Sequence, residues 1–89
     1  MYVAYQAPHE PIQRPPQKYT DMYKIVNNRT LHINRLGTLS ALDAGFATIE
    51  ESLRSSCLYD NSVIIFSTDN GGAVPSLSNL PLRGDKEQE

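Results

Sequence analysis

Tryptophan is missing from this chain, cysteine occurs once and phenylalanine twice, all within 89 residues. A single cysteine excludes an internal disulfide and a cysteine metal cluster. Few large aromatics and a hydrophobic share of 39% leave little material for a core. A domain this short buries only about two-thirds of the surface that its unfolded chain exposes. No stretch approaches the roughly 20 apolar residues of a membrane helix, so no membrane span is expected. The eight Lys and Arg form no run, and the formal net charge is -2. Nothing in that balance suggests a nucleic acid or an acidic membrane surface as a partner. Met1-Tyr2-Val3-Ala4-Tyr5 lacks a basic n-region and a long apolar core, so no signal peptide is expected there.

What is present alternates between β-prone and helical patterns. Tyr2 to Gln6 is a short β-prone run, a strand over 2–6. It ends at Ala7-Pro8, because proline cannot continue a central strand. Pro8, Pro11, Pro15 and Pro16 then make residues 7–32 an irregular, extended loop, long enough to imply a use. Tyr19, Met22, Tyr23, Ile25 and Val26 suit a helical turn that packs this loop down. Leu36, Leu39, Leu42, Phe46, Ile49 and Leu53 recur at intervals of three and four, which predicts an amphipathic helix over 33–55. Gly37 and Gly45 are weak points inside it. Leu58 to Asn61 reads as a turn. Val63-Ile64-Ile65-Phe66 is a continuous apolar, β-branched run, a strand over 63–67 of the kind buried on both faces. Residues 68–89 are loop. Strand, helix, strand gives an α/β fold class, one βαβ unit with parallel strands plus long loops. Parallel strands end on one rim, which is where open α/β enzymes place their chemistry.

Two segments stop abruptly at ligand-capable residues on that expected rim. Asp69-Asn70-Gly71-Gly72 contains the Asn-Gly pair common in hairpin turns. However, Ala73-Val74-Pro75-Ser76 does not alternate as a return strand should. The oxygen donors of Asp69 and Asn70 suit a hard cation, Ca²⁺ or Mg²⁺ rather than zinc, and the glycines permit close backbone approach. His9 follows the first strand. A loop histidine is commonly a plain surface residue; here it is also a candidate anion contact or proton donor, since imidazole titrates near neutral pH. His32 has no comparable context. Arg83 and Lys86 form either a solvated basic loop or a clamp on an anion. Arg83-Gly84-Asp85 spells a short integrin-recognition tripeptide, which is a weak signal. Asp43 is either a polar group linked to the site or a local hydrogen-bonding residue. Cys57 follows Ser55-Ser56 with no activating partner beside it and is a poor nucleophile. Asn28-Arg29-Thr30 is an N-glycosylation sequon, relevant only to a secreted protein.

These segments together resemble the sulfatases, most closely the arylsulfatase B-like group. The resemblance is carried by Tyr5-Gln6-Ala7-Pro8-His9-Glu10-Pro11, the helix around Leu42-Asp43, Val63 through Gly72, and Pro81-Leu82-Arg83-Gly84-Asp85-Lys86. It implies a fragment of an alkaline-phosphatase-like sulfatase domain that hydrolyses the sulfate ester of a sulfated sugar or aryl sulfate. It further implies that Asp69 and Asn70 ligate Ca²⁺, that His9 contacts the sulfate and protonates the leaving oxygen, and that Lys86 binds the sulfate. The family nucleophile is a formylglycine made from Cys-x-Pro-x-Arg or its Ser-for-Cys form. That motif is absent, since Cys57 is followed by Leu58-Tyr59-Asp60. Further members of the metal and sulfate sites are absent too. Asp85 adds a negative charge beside Lys86 where relatives carry neutral or basic residues. The expectation is therefore an internal fragment of a lysosomal or secreted enzyme, inactive alone. The alternatives are a non-catalytic anion- or calcium-binding module, or a truncated gene product.

Overall fold

The computed structural model describes residues 1–25, 29–72, 79, 81–84 and 86. Among these, one α-helix dominates: α1, Thr30–Ser55, 26 residues. Single 3-10 turns lie at Gln17–Tyr19, Asp21–Tyr23 and Tyr59–Asn61. The first two put helical turns at Tyr19 and at Met22-Tyr23, but Met22 and Ile25 are 59% and 91% exposed rather than packed down, and Val26 lies outside the described residues. The third occupies the turn expected from Leu58 to Asn61.

Apolar spacing sets the helix start at Ile33, but α1 begins three residues earlier in the chain. The Ile33 N–H donates to the Arg29 carbonyl at 3.0 Å, which winds Thr30, Leu31 and His32 into the first turn. Several hydroxyl side chains fold back onto α1 rather than compete with it. Thr38, Thr48 and Ser52 donate to the carbonyls of Asn34, Ala44 and Thr48 at 2.7, 3.0 and 2.8 Å. At the far end the Leu58 N–H reaches the Leu53 carbonyl at 2.9 Å and the Cys57 N–H reaches Arg54 at 3.1 Å. This is the Schellman stop. Cys57 takes the left-handed position in it, with φ 56, where glycine is the usual occupant.

The helical glycines are also points of close approach. A Cβ at Gly37 would stand 2.7 Å from Thr20 Cγ2, 2.9 Å from Pro15 Cγ and 3.1 Å from the Tyr19 carbonyl oxygen. The proline-rich loop therefore lies directly on the helix backbone there. Tyr23 Oη pairs with Ser40 Oγ at 2.6 Å one turn further along. At Gly45 the space is taken by the Tyr5 ring, with Oη 3.1 Å from where a Cβ would be.

These contacts also give the direction of each flanking segment. Tyr5 lies at Gly45 and Glu10 at Arg35, so residues 5–10 run opposite to α1. Tyr59 lies under the Arg54 guanidinium, 3.4 Å from ring centroid to Cζ, and Phe66 meets Phe46 edge-on at 6.0 Å. Residues 59–66 thus also run opposite to α1, and the two segments run the same way as each other.

Neither segment is assigned as a strand among the described residues. None of the described hydrophobic residues is buried. The stripe of Leu36, Leu42, Phe46, Ile49 and Leu53 is half-covered, while Val63 and Ile65 are 89% and 85% exposed. The Cα radius of gyration, 15.2 Å, exceeds the about 12 Å expected of a compact chain this long. No helix of the described residues is long and apolar enough to cross a membrane.

Candidate functional site

The first wall is built around His9. Its N–H donates to the Gln6 carbonyl at 2.8 Å, closing a turn over Gln6–His9 with a cis Ala7-Pro8 bond. His9 Nδ1 lies 2.6 Å from the Glu10 carbonyl oxygen. A carbonyl can only accept, so Nδ1 carries the proton and Nε2 is the nitrogen left for chemistry. Glu10 is clamped through both carboxylate oxygens: Oε1 to Arg35 Nη2 on α1, and Oε2 to the Ile12 N–H at 3.1 Å. The Arg35 hydrogen bond first, and the Ile12 N–H second, hold the Glu10 carboxyl below its ordinary range. His9 and Glu10 are exposed, whereas Arg35 is 7% exposed.

The second wall is Asp69-Asn70-Gly71-Gly72, a bend whose two polar residues are exposed. Asn70 Nδ2 donates to the Gly71 carbonyl at 2.7 Å, a bond that uses the amide nitrogen and spares Oδ1. The segment is tied to the basic loop by Asn79. Asn79 Oδ1 accepts from the Gly72 N–H at 3.0 Å, and Nδ2 donates to the Gly84 carbonyl at 2.7 Å. The Leu82 N–H returns to the Asn79 carbonyl at 2.8 Å. Lys86 then donates its backbone N–H to the Gly72 carbonyl at 3.0 Å. Lys86 is thereby brought beside the Asp69–Gly72 segment, with its side chain exposed. No hydrogen bond or ion pair among the described residues joins His9 to Asp69, Asn70 or Lys86. Asp43 and Cys57 are exposed, which leaves Asp43 no buried link to either wall. The glycosylation candidate Asn28, and Asp85, lie outside the described residues.

Two residues that position these walls were not evident as site residues in the sequence. Arg35 interrupts the helix pattern beside Leu36, and a lone charge on the edge of an apolar stripe is the only hint of it. Asn79 sits among Ser, Leu and Pro in a loop; its one signal is that an amide both donates and accepts, so it can bridge two backbone strands of a loop.

The sulfatase family model matches residues 1–89. The chain belongs to the sulfatase family. It is 41% identical over 90 aligned positions to mouse (Mus musculus) arylsulfatase J, covering 97% of this chain and 14% of that protein. It is 34% identical over 85 positions to the uncharacterized sulfatase YdeN of Escherichia coli strain K12, covering 94% of this chain and 14% of YdeN. This sulfatase chain therefore spans about a seventh of the length of the curated relatives it matches. No solved structure matches it significantly.

For a sulfatase the donor set near Asp69 matters. Among the described residues no three His, Cys, Asp or Glu side chains form a group that could hold a metal ion. Asp69 and Asn70 supply hard oxygen donors, the right kind for calcium, but calcium takes six to eight oxygens. In kind they suit a hard cation; in number two side-chain donors fall short of a calcium shell.

Proposed function

We propose that this chain carries part of the catalytic domain of a sulfuric ester hydrolase acting on a sulfated sugar or an aryl sulfate. The carrying observation is the closure of the basic loop onto the glycine pair, Lys86 N–H to Gly72 O, immediately after Asp69 and Asn70. It brings the Lys86 backbone to Gly72, two residues after Asn70, which supports a reading in which a sulfate is held between lysine and cation. The common direction of residues 5–10 and 59–66 along α1 supports a right-handed βαβ unit with parallel strands, part of an alkaline-phosphatase-like sulfatase domain. In it both segments would carry their polar ends, His9 and Asp69-Asn70, toward the amino-terminal half of α1.

In this arrangement Lys86 contributes a point charge to the sulfate oxygens. His9, as imidazolium with Nδ1–H donated to the Glu10 carbonyl, presents Nε2–H to the leaving oxygen, gives it that proton as the ester bond breaks and is left as the neutral Nδ1–H ring. Asp69 and Asn70 would supply two oxygen ligands to calcium. When bound, calcium would neutralise the sulfate oxygens as charge develops. The formylglycine nucleophile must come from a Cys-x-Pro-x-Arg segment, which these 89 residues do not contain. The chain alone is therefore inactive, and the parent enzyme works in a lysosomal or secreted compartment.

Incubating the purified chain with an aryl sulfate and Ca²⁺ tests this directly, and turnover above buffer would refute the inactivity. Calorimetry with Ca²⁺ addresses the incomplete site. Negligible heat is expected, whereas micromolar binding would favour a self-sufficient calcium-binding module. The lack of any buried hydrophobic residue among those described favours a piece that depends on neighbouring structure.

A further inference from the structure

We propose that Arg35 is a positioning residue for His9, acting through Glu10 to fix which imidazole nitrogen faces the substrate. The proposal rests on His9 being the sulfate contact proposed above. Arg35 belongs to α1, and its side chain is 8% exposed, an uncommon degree of burial for an arginine. It ion-pairs with Glu10, twenty-five residues earlier in the chain. Glu10 is the residue whose backbone carbonyl takes the His9 Nδ1 proton, at 2.6 Å. On the other side the His9 N–H is held by Gln6 at 2.8 Å. The imidazole is thus flanked by two held peptide groups, and the side chain of the second is tied to α1 through Arg35.

An arginine kept only for stability would be an odd choice here. Its Nε and Nη1 are buried with no hydrogen-bond partner among the described residues, a cost that the single ion pair does not remove. The Glu10 carboxylate that it meets is itself 61% exposed, so the pair is a weak stabiliser. What the pair does accomplish is to hold a surface loop in register. With Glu10 released, the exposed ring would sample both tautomers and Nε2 would lose its fixed role.

The test uses the whole 89-residue chain, labelled with ¹⁵N, and long-range ¹H–¹⁵N spectra of the imidazoles at alkaline pH. His32 on α1 serves as the internal reference. In the unaltered chain His9 should be predominantly protonated at Nδ1. In Arg35→Met that preference should fall severalfold with His32 unchanged, and Arg35→Lys should restore part of it. Glu10→Ala breaks the same pair from its exposed side and, with α1 shown intact by circular dichroism, decides the matter if Arg35→Met loses its helix. A His9 tautomer ratio unmoved by Glu10→Ala, or mixed in the unaltered chain, would overturn the proposal. Titration with sodium sulfate separates the two claims. If the variants shift the tautomer while sulfate leaves His9 unmoved, the positioning stands and the sulfate role falls.

Discussion

Replacing Asn79 with alanine should open the loop that carries Lys86 without disturbing α1. The side chain makes two bonds that nothing else in the described loop duplicates: Oδ1 with the Gly72 N–H at 3.0 Å and Nδ2 with the Gly84 carbonyl at 2.7 Å. Both partners are half-buried, as is Asn79. At about 1 kcal/mol net for each, their loss weakens loop closure by about 2 kcal/mol, roughly a 30-fold change in the closed population. The Lys86 N–H bond to Gly72 closes the same ring and should weaken with it. Amide hydrogen exchange reads this site by site. The Gly72 and Lys86 amides should exchange roughly 30-fold faster in Asn79→Ala, while amides in the middle of α1 keep their rates. Asn79→Asp separates the two bonds, since a carboxylate still accepts from Gly72 but cannot donate to Gly84. It should retain much of the Gly72 protection. A Gly72 rate within about twofold of the original in Asn79→Ala would show that Asn79 does not hold the loop.

Three further outcomes follow from packing and charge. Gly37→Ala gains about 1 kcal/mol of helix propensity but forces a methyl against Pro15, Thr20 and the Tyr19 carbonyl, at a cost of about 1–3 kcal/mol. The urea midpoint for release of the proline-rich loop should fall, and a rise would refute the close approach. Cys57→Gly relieves a left-handed residue in the helix stop and should raise helix stability by about 1 kcal/mol, seen in thermal circular dichroism. The Glu10 carboxyl is depressed below its ordinary 4.5, chiefly by the Arg35 hydrogen bond. A depressed folded-state value gives stability that is complete above the ordinary value and lost as pH falls through the depressed one. The docking of the His9 loop should therefore loosen on the acid side of pH 4.5, with faster relative exchange at the Ile12 amide. Acid-insensitive docking would count against the clamp.

The helix was legible because its stripe repeats at the helical period through Leu36, Phe46 and Leu53, and its early start was not, because Thr30 to His32 carry no apolar repeat. The stripe does not name what is most buried. Within α1 the most buried are Arg35 and Gly37, and for opposite reasons: one side chain reaches down to Glu10, the other is missing so that a loop can sit on the backbone. Hydropathy cannot register an absent side chain. The polar ends at His9 and Asp69-Asn70 were legible as abrupt stops after apolar runs, since the change from β-branched to ligand-capable residues is written locally. The bridge at Asn79 was not, because its partners Gly72 and Gly84 engage it through peptide groups, which every residue carries.

The uncovered faces of Val63, Ile65 and their neighbours bear on heat as well as on shape. Warming normally exposes apolar surface to water, and that hydration makes unfolding absorb more heat as temperature rises, by about 12–15 cal/mol/K per residue. Here much of that surface is already wet before anything melts. The stability curve of the isolated chain is correspondingly flat, and calorimetry would trace a shallow slope rather than a peak, until neighbouring structure dries those side chains.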